Sequence, residues 1–325
     1  MSSSILAGDI GGTKSRLGLF EPAAPRPRPL VVQEFTTGEY RDLEMMITDF
    51  LRDERLKGAR PDRACFGVAG PVVEQAAELT NVPWRVEAEA IARAFDLRRV
   101  ALLNDLQAMA TAVPLLAAEE LHVLQKGRAV RGGNIALIAA GTGLGEALLH
   151  PVDGRLVPSP SEGGHADFAA RNEREFALAR YLIDKNGRAD IEHVLSGRGF
   201  VNLHLITHGA PCDAAIDLDD PDAPAAISRA ALDRRCAGCV GTLEMFVDAY
   251  GAEAGNLALR MVATGGVFVG GGIAPKILPA LTTGAFMRAF TEKPPMDDLL
   301  RSMPVNVILN GRAGLLGAAV HAAGL

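Results

Sequence analysis

The residues whose types and spacing could bind a phosphate lie in glycine-rich stretches. The first stretch, GDIGGTKSR at residues 8–16, comes close to the P-loop pattern, but Thr13 stands where that pattern requires its second glycine. A P-loop must also open a helix, whereas Leu17 and Leu19 alternate with the period of a strand. A glycine turn between two strands can still bind phosphate, because backbone N–H groups approach an anion closely there. A tight turn without a ligand is the alternative.

Two later stretches extend this pattern. GTGLG at residues 141–145 lies between a predicted strand at 134–140 and an extended segment at 147–150, so it is similar to the first turn. GGG at 270–272 follows a predicted strand at 265–269 and leads into a helix predicted to begin near Pro275. Three such turns favour a nucleotide site, with hairpins from opposite domains on the phosphates and the third turn against adenosine. The predicted nucleotide-binding residues are Gly11, Gly12, Thr13, Lys14, Gly141, Thr142, Gly143, Gly271 and Gly272.

Asp9 is the candidate residue for a metal. It lies at the end of the first predicted strand, directly before the first glycine turn. Mg²⁺ usually keeps several waters and takes one or two carboxylates together with the oxygens of a nucleotide. We therefore expect Asp9 to hold Mg²⁺ through water.

Hydrophobic periodicity predicts one α/β unit that occurs twice. The first copy has the order βββαβαβα, with strands at 5–9, 14–20, 30–35, 64–68 and 100–104 and helices at 43–51, 87–95 and from Leu106. The same order begins again at residue 134, with helices near 171–184 and 226–249, a strand at 305–309 and a final helix within 310–324. We therefore predict a small α/β domain from residues 1–115 plus 310–325, a large one from 116–309, and a ligand cleft between them.

The composition is typical of a folded enzyme that acts on small molecules. Of the 325 residues, 48% are hydrophobic and 22% are charged. The formal net charge of −6 gives no basic field for nucleic acid or anionic lipid, so neither partner is expected. No apolar stretch reaches the roughly 20 residues that a membrane span needs, and the first residues do not have a signal-peptide pattern. We expect a cytoplasmic protein.

The four cysteines are too few for a disulfide framework. Cys236 and Cys239 have the spacing of a metal or redox pair, but their nearest possible partners, Cys212 and His208, belong to a different segment. His204 and His208 are four residues apart and lack the Glu of an HExxH metal motif. We therefore interpret the cysteine pair as part of a helix without a metal, and the histidine pair as structural.

Seven motifs together resemble the bacterial glucokinases, which have the hexokinase and actin-like ATPase fold. They occur in order from about residue 5 to the end of the chain: GDIGGT at 8–13, TNVPW at 80–84, LNDL at 103–106, AGTGLG at 140–145, EGGHADF at 162–168, EHVLSG at 192–197 and GGVFVGGGI at 265–273. Each motif is weak alone, whereas the set is specific. The resemblance implies two RNase H-like domains, ATP-dependent phosphorylation of the glucose 6-hydroxyl in glycolysis, and commonly a homodimer.

Asp105 is the predicted catalytic base. It follows the strand at 100–104, at the carboxyl end where open α/β sheets place their ligands. A carboxylate there can accept the proton of a sugar hydroxyl as it attacks the γ-phosphoryl group. Alternatively, Asp105 caps the helix that begins at Leu106, and one carboxylate can serve both as cap and as base. The neighbouring Asn104 offers an amide to an adjacent hydroxyl.

Three further residues are predicted to recognise the sugar. Glu162 and His165 flank two glycines and can both turn toward one polyol, and Glu192 adds a carboxylate acceptor for two neighbouring hydroxyls. A sugar site needs such a cluster, because a site that pairs every hydroxyl rejects an isomer that leaves one unpaired. The resemblance implies Asn81 as another sugar contact.

Lys14 departs from the pattern. Bacterial glucokinases commonly have Asn at this place, and Lys is more typical of the related ROK sugar kinases; it can reach a phosphate or point to solvent. The cysteine-rich zinc motif of ROK proteins is absent after His165. Two alternatives to a glucokinase stay open. One is a ROK-like kinase for another hexose or amino sugar, and the other, from a different class, is a non-catalytic actin-like ATPase or sugar sensor.

Overall fold

The computed structural model describes residues 4–79, 82–208 and 211–325. Contacts divide the chain into two compact units. Unit 1 comprises Met1–Ala117, Leu156–Pro160 and Asn310–Leu325, and unit 2 comprises Ala118–Arg155 and Ser161–Leu309. The C-terminal segment therefore returns to the unit in which the chain begins.

Unit 1 contains a five-stranded sheet with the order β3-β2-β1-β4-β8 and a small sheet with the order β5-β6-β7. The bounds are β1 (Ser4–Ile10), β2 (Lys14–Glu21), β3 (Arg28–Thr36), α1 (Leu43–Leu51), β4 (Pro61–Val68), β5 (Val72–Val73), β6 (Ala76–Glu78), β7 (Arg85–Glu87), α2 (Ala88–Phe95), β8 (Arg99–Asn104), α3 (Asp105–Ala112) and α11 (Ala313–Ala323). The strands and helices predicted for this part are confirmed to within a few residues, and the small sheet was missed.

Alternation along β1 places apolar side chains on both faces of the larger sheet. Leu6 and Ile10 pack with residues of α1, whereas Ile5 and Ala7 pack with residues of α11. Helices therefore cover both faces, and the edges of the sheet are left for ligands. β1, β4 and β8 are parallel, and their last residues, Ile10, Val68 and Asn104, lie side by side. The loops after these three strands therefore emerge at one edge, which is where open α/β sheets bind ligands.

Unit 2 contains the second sheet, with the order β12-β11-β10-β13-β14-β9, except that Leu156–Pro160 of β12 are assigned to unit 1. Its elements are β9 (Leu121–Gln125), β10 (Ile135–Ala140), β11 (Leu144–Val152), β12 (Arg155–Ser161), α4 (Glu173–Asn186), α5 (Gly197–Thr207), α6 (Ala223–Leu232), α7 (Ala237–Met261), β13 (Gly266–Gly270), α8 (Leu278–Leu281), α9 (Ala285–Thr291), α10 (Asp297–Ser302) and β14 (Val305–Ile308). The order β12-β11-β10-β13-β14 reproduces that of the first sheet, so the predicted repetition is confirmed.

Two helix predictions in unit 2 are wrong in detail. The segment 226–249 forms two helices, because α6 ends at Leu232 and Arg234 takes a positive φ of 55° before α7 begins. The helix expected from Pro275 begins only at Leu278, since turns follow Gly271, whose φ is +83°. Strands β9 and β12 and helices α5, α9 and α10 were not predicted. Within the described parts of the chain, no helix combines the length and apolar character that a bilayer span requires.

Candidate active site

Asp105 is the first residue of α3, at the carboxyl end of β8. The helix cap is Asn104, whose side-chain oxygen accepts hydrogen bonds from the amides of Leu106 (3.0 Å) and Gln107 (3.4 Å). The alternative role considered for Asp105, that of the cap, therefore belongs mainly to its neighbour, although Asp105 Oδ1 also accepts from the Leu106 amide at 2.8 Å. Asn104 further donates to the carbonyl of Gly70 at 3.1 Å, which ties this corner to the loop after β4.

Close packing beneath α3 depends on Gly67. A Cβ at this position would lie 2.8 Å from the Cβ of Ala108 and 3.6 Å from the Cα of Asp105. Real Cβ atoms do not approach other carbons at the shorter distance, so the first turn of α3 can rest on β4 only above a glycine. The register pairs Gly67 with Asp9 on β1. Asp9 and Asp105 thus both belong to the strand edge that the sequence predicted for the ligand.

The first glycine turn, between β1 and β2, is braced from β3. Thr37 donates from its hydroxyl to the Gly11 carbonyl at 2.8 Å and from its amide to the Thr13 carbonyl at 3.0 Å. A Cβ on Gly11 would lie 2.7 Å from the Lys14 carbonyl, so the turn needs glycine there. The side chain of Thr13 is exposed at the tip. This is a rigid, open turn of the kind that can present backbone N–H groups to an anion.

Lys14 points along the sheet surface to Glu34 on β3. Its ammonium nitrogen lies 2.8 Å from Glu34 Oε1, and the guanidinium of Arg16 lies 2.8 Å from Glu34 Oε2. These bonds lower the pKa of the Glu34 carboxyl, mainly through the hydrogen bond from Lys14. The Lys14 side chain is 67% exposed, so the ion pair is worth little and the side chain can leave it for a phosphate.

Asp9 lies between Arg16 on the neighbouring strand and helix α11. Burial raises the pKa of its carboxyl, and the positive charge of Arg16 lowers it only in part. A Cβ on Gly314 of α11 would lie 3.1 Å from both carboxylate oxygens, so α11 has no side chain against this carboxylate there. A partly buried carboxylate beside a phosphate-type turn fits a hydrated Mg²⁺.

Glu192 joins the second glycine turn to the predicted sugar-binding segment. Its Oε2 accepts a hydrogen bond from the Leu144 amide at 2.9 Å and would lie 2.5 Å from a Cβ on Gly143. Its own amide donates to the Gly164 carbonyl at 2.8 Å. The carbonyl of Gly141 accepts from the Gly197 amide at 2.9 Å. The turn at 141–143 and the segments at 162–165 and 192–197 thus form one hydrogen-bonded assembly in unit 2.

Glu162 directly precedes a short 3-10 helix, Gly163–His165, and His165 is the last residue of that helix. Both side chains are exposed, and His165 Nδ1 lies 3.4 Å from Oδ2 of Asp190. Asp190 is buried, and its Oδ1 also accepts a hydrogen bond of 2.8 Å from the backbone amide of His193. Sequence reasoning missed Asp190. The missed signal is an Asp three residues before His193, a spacing at which an aspartate side chain can accept from a backbone amide as a helix N-cap does.

Glu146 is a second carboxyl group that sequence reasoning missed. It is 1% exposed, and a Cβ on Gly163 would overlap its Oε2, so it lies directly beneath the Glu162–His165 segment. Its Oε1 is buried without a hydrogen-bond partner among the described residues. Burial, together with the negative charge of the nearby Glu253, raises the pKa of Glu146 to about 7.

The third glycine turn lies against the second. A Cβ on Gly271 would overlap the backbone of Ala140, whereas a Cβ on Gly272 would meet nothing within 4 Å. The buried hydroxyl of Tyr250 links the two turns, because it accepts from the Ala140 amide at 3.2 Å and donates to the Gly270 carbonyl at 3.3 Å. Gly272 therefore leaves room for a ligand at its Cα, whereas Gly271 does not.

The structure therefore groups the predicted residues by unit. Asp9, Asn104, Asp105 and the turn at 11–14 lie at one edge of the unit 1 sheet, and the turns at 141–143 and 270–272 with Glu162, His165 and Glu192 lie in unit 2. Asn81 lies outside the described residues.

Known proteins resemble this chain over its whole length. A family model described as Glucokinase matches residues 6–325. A glucokinase from Trichormus variabilis is 39% identical over 99% of this chain and 99% of its own length. The solved glucokinase of an Antarctic psychrotroph superimposes with a TM-score of 0.86 at 29% identity, covering 100% of both chains.

The ROK family glucokinase from Streptomyces griseus, solved in complex with glucose and AMPPNP, superimposes with a TM-score of 0.69. Its identity is 21%, over 99% of this chain and 100% of that chain, so this likeness shows the fold alone. The predicted fold, two α/β domains of the hexokinase and actin-like type, is confirmed by these structures. Because the family model and the Trichormus relative both match from end to end, the chain belongs to the glucokinase family.

Proposed function

We propose that this protein transfers the γ-phosphoryl group of ATP to the 6-hydroxyl of glucose, with Asp105 as the general base. Family membership over the whole chain supports the reaction. The observation that carries the role of Asp105 is its position at the carboxyl edge of the sheet, in a turn fixed by Asn104, at the same edge as the phosphate-type turn at 11–14. Phosphoryl transfer depends mainly on positioning and charge neutralisation, and such an edge provides both.

In this proposal each group has one task. Asp105 accepts the proton of the attacking hydroxyl, and Asn104 keeps α3 in place while its amide faces the same corner. The backbone amides of the turns at 11–13 and 141–143, with the Thr13 and Thr142 hydroxyls, bind the phosphates, and Lys14 adds charge when it leaves Glu34. Gly271 and Gly272 lie against adenosine. Asp9 would hold Mg²⁺ through water, and that ion neutralises phosphate charge.

Glucose is recognised by hydroxyl pairing. Glu162 and His165 offer exposed side chains, and Asp190 orients the His165 ring. Glu192 uses Oε2 for the Leu144 amide, so we assign Oε1 to the sugar. Asn81 completes the set that the family resemblance implies. We also infer a cytoplasmic location, a place in glycolysis and a homodimer.

A sugar panel tests the reaction. Glucose, mannose and N-acetylglucosamine are each incubated with ATP and Mg²⁺, ADP release is measured, and the product is identified by mass spectrometry. We expect the largest kcat/KM for glucose and a 6-phosphate product. A preference for another sugar would favour the ROK-like alternative, and ADP release without any sugar phosphate would favour a non-catalytic ATPase.

Replacement of Asp105 tests the general base. Asp105→Asn should lower kcat by at least about 10²-fold, since general base catalysis typically contributes that much, while glucose binding measured by calorimetry persists. Asp298→Asn is the control, because Asp298 is a fully exposed carboxylate that also lies in the first turn of a helix. If Asp105→Asn kept near-normal kcat, the assignment would be wrong.

A further inference from the structure

A cluster of sulfur and imidazole groups lies in unit 2, among the residues that the sequence led us to interpret as structural. The ligand atoms of His204, His208, Cys212 and Cys239 all lie within 4.8 Å of one another. Cys236 joins them, because its Sγ lies 3.2 Å from His208 Nε2 and 3.8 Å from Cys212 Sγ. We propose that Cys212, Cys236, Cys239 and His208 bind one Zn²⁺ ion in a structural site.

The distances are those of a tetrahedral zinc site. With Zn–S of about 2.3 Å and Zn–N of about 2.0–2.1 Å, tetrahedral geometry requires about 3.8 Å between two sulfurs and about 3.6 Å between sulfur and nitrogen. Cys212 Sγ lies 3.8 Å from Cys236 Sγ and 3.8 Å from Cys239 Sγ. The contact of 3.2 Å between His208 and Cys236 is slightly shorter than the ideal edge. Small side-chain rotations would therefore admit the ion.

The surrounding elements place these ligands together. Cys236 is the cap of α7 and Cys239 lies in its first turn, where free backbone amides favour thiolates. His208 directly follows α5, and its ring lies where a Cβ on residue 238 would be, so Gly238 makes room for it.

His204 is better suited to hold His208 than to bind the metal. The two rings are tilted by 37° relative to each other, with centroids 3.6 Å apart. His204 Nδ1 is 4.0 Å from Cys239 Sγ and 3.5 Å from the Thr242 hydroxyl, so it is further from the sulfurs than His208 is. His208, in contrast, brings its Nε2 to 3.2 Å from Cys236 Sγ, the sulfur that also lies 3.8 Å from Cys212 Sγ.

The ligand set indicates both the metal and its role. Three thiolates and one imidazole select Zn²⁺ over Mg²⁺, which prefers oxygen ligands. Four protein ligands leave no open position for water or substrate, so the site is structural. The ion would tie the end of α5, the segment around Cys212 and the start of α7 together. This site is separate from the place after His165 at which ROK proteins carry their zinc motif.

The test measures zinc in the full-length protein, purified under reducing conditions without a polyhistidine tag. We expect one zinc per chain by elemental analysis and, after exchange with Co²⁺, the absorption of a tetrahedral cobalt–thiolate centre. Cys212→Ser and Cys239→Ser should each lose the metal. Cys65→Ser is the matched control, because Cys65 is a buried cysteine in strand β4 of unit 1, and it should keep one zinc.

Two further measurements keep the proposal testable if a cysteine variant fails to fold. In the wild type, zinc should protect Cys212, Cys236 and Cys239 from alkylation, and a chelator should remove that protection without affecting Cys65. His208→Gln should weaken zinc binding by more than about tenfold, whereas His204→Gln should retain the metal. Failure of reduced protein to bind added Zn²⁺ or Co²⁺, or a disulfide that includes Cys212 in freshly isolated protein, would overturn the proposal. Metal loss in His204→Gln but not in His208→Gln would overturn the ligand assignment.

Discussion

At the scale of single residues, the protein carries a buried carboxyl group beside the proposed sugar-binding segment at 162–165. Glu146 on β11 lies under Gly163, and its neighbours Glu253 and Arg260 do not neutralise it, since Arg260 is 4.0 Å away and pairs with Glu253 at 2.8 Å. A carboxyl group of this kind is held more easily as the neutral acid, which is why its pKa is raised to about 7.

The raised pKa of Glu146 predicts how stability depends on pH. Because the folded state binds the proton more tightly than the unfolded state, the stabilisation is fully present below the unfolded pKa of 4.5 and is lost as pH rises through about 7. A shift of this size corresponds to a loss of up to about 3 kcal/mol. Glu146→Gln should remove this dependence, so its free energy of unfolding should rise relative to wild type between about pH 5 and pH 8.

Urea unfolding at several pH values measures this difference. Glu244→Gln is the control, because Glu244 lies exposed on the same helix as Glu253, and its difference from wild type should not change with pH. A constant difference between Glu146→Gln and wild type over the same range would show that Glu146 is not held neutral.

At the scale of elements, glycines set how closely the pieces that carry the site approach one another. Helix α11 packs on α3, and a Cβ on Gly317 would overlap the carbonyl oxygen of Ala108. Because α3 begins with Asp105, this contact helps to place the proposed base. The contact is with backbone, so no side-chain rotation can relieve an added methyl group.

Gly317→Ala should therefore destabilise the protein by about 1–3 kcal/mol, the usual cost of overpacking, despite the better helix propensity of Ala. It should also lower kcat, since α3 must shift. Gly311→Ala is the control, because a Cβ there meets nothing within 4 Å. Chemical unfolding and initial rates measure both effects, and equal stability of the two variants would contradict the packing argument.

The third glycine turn allows a matched pair of substitutions. Gly271 has a φ of +83° and no room for a Cβ, so Gly271→Ala should cost at least about 1 kcal/mol of stability. In Gly272→Ala the added Cβ has no atom within 4 Å, so this variant should fold normally. If adenosine lies against this turn, Gly272→Ala should raise the KM for ATP several-fold with little change in the KM for glucose. An unchanged KM for ATP would remove Gly272 from the proposed nucleotide site.

At the scale of the whole molecule, two units with the same strand order belong to one glucokinase-family chain. Family resemblance leads us to expect a homodimer. Light scattering coupled to gel filtration should therefore give about 68 kDa, twice the 34.2 kDa of one chain. A mass near that of one chain at micromolar concentration would contradict this expectation.

Local patterns in the sequence determined most of the elements that position the site. The period-two alternation after Lys14 and the apolar stripe from Leu43 to Leu51 reflect geometry within a few residues, so β2 and α1 occur where they were predicted. The glycine turns were predictable for the same reason. The position of Asp105 at a strand end followed from local pattern too, and the catalytic role proposed for it rests on that position together with the family resemblance.

Only the tertiary structure decided which distant residues meet. The bond from Leu144 to Glu192 joins residues 48 apart, and the contact between Cys212 and Cys236 joins residues 24 apart. Spacing also could not show that Glu146 is buried beneath Gly163 or that Asp190 lies 3.4 Å from the His165 ring. Nor could it show that the Ala108 carbonyl packs against Gly317. Hydrophobic periodicity reflects the local geometry of one helix or strand. These contacts, in contrast, depend on how segments that are distant in the sequence pack together in the folded chain.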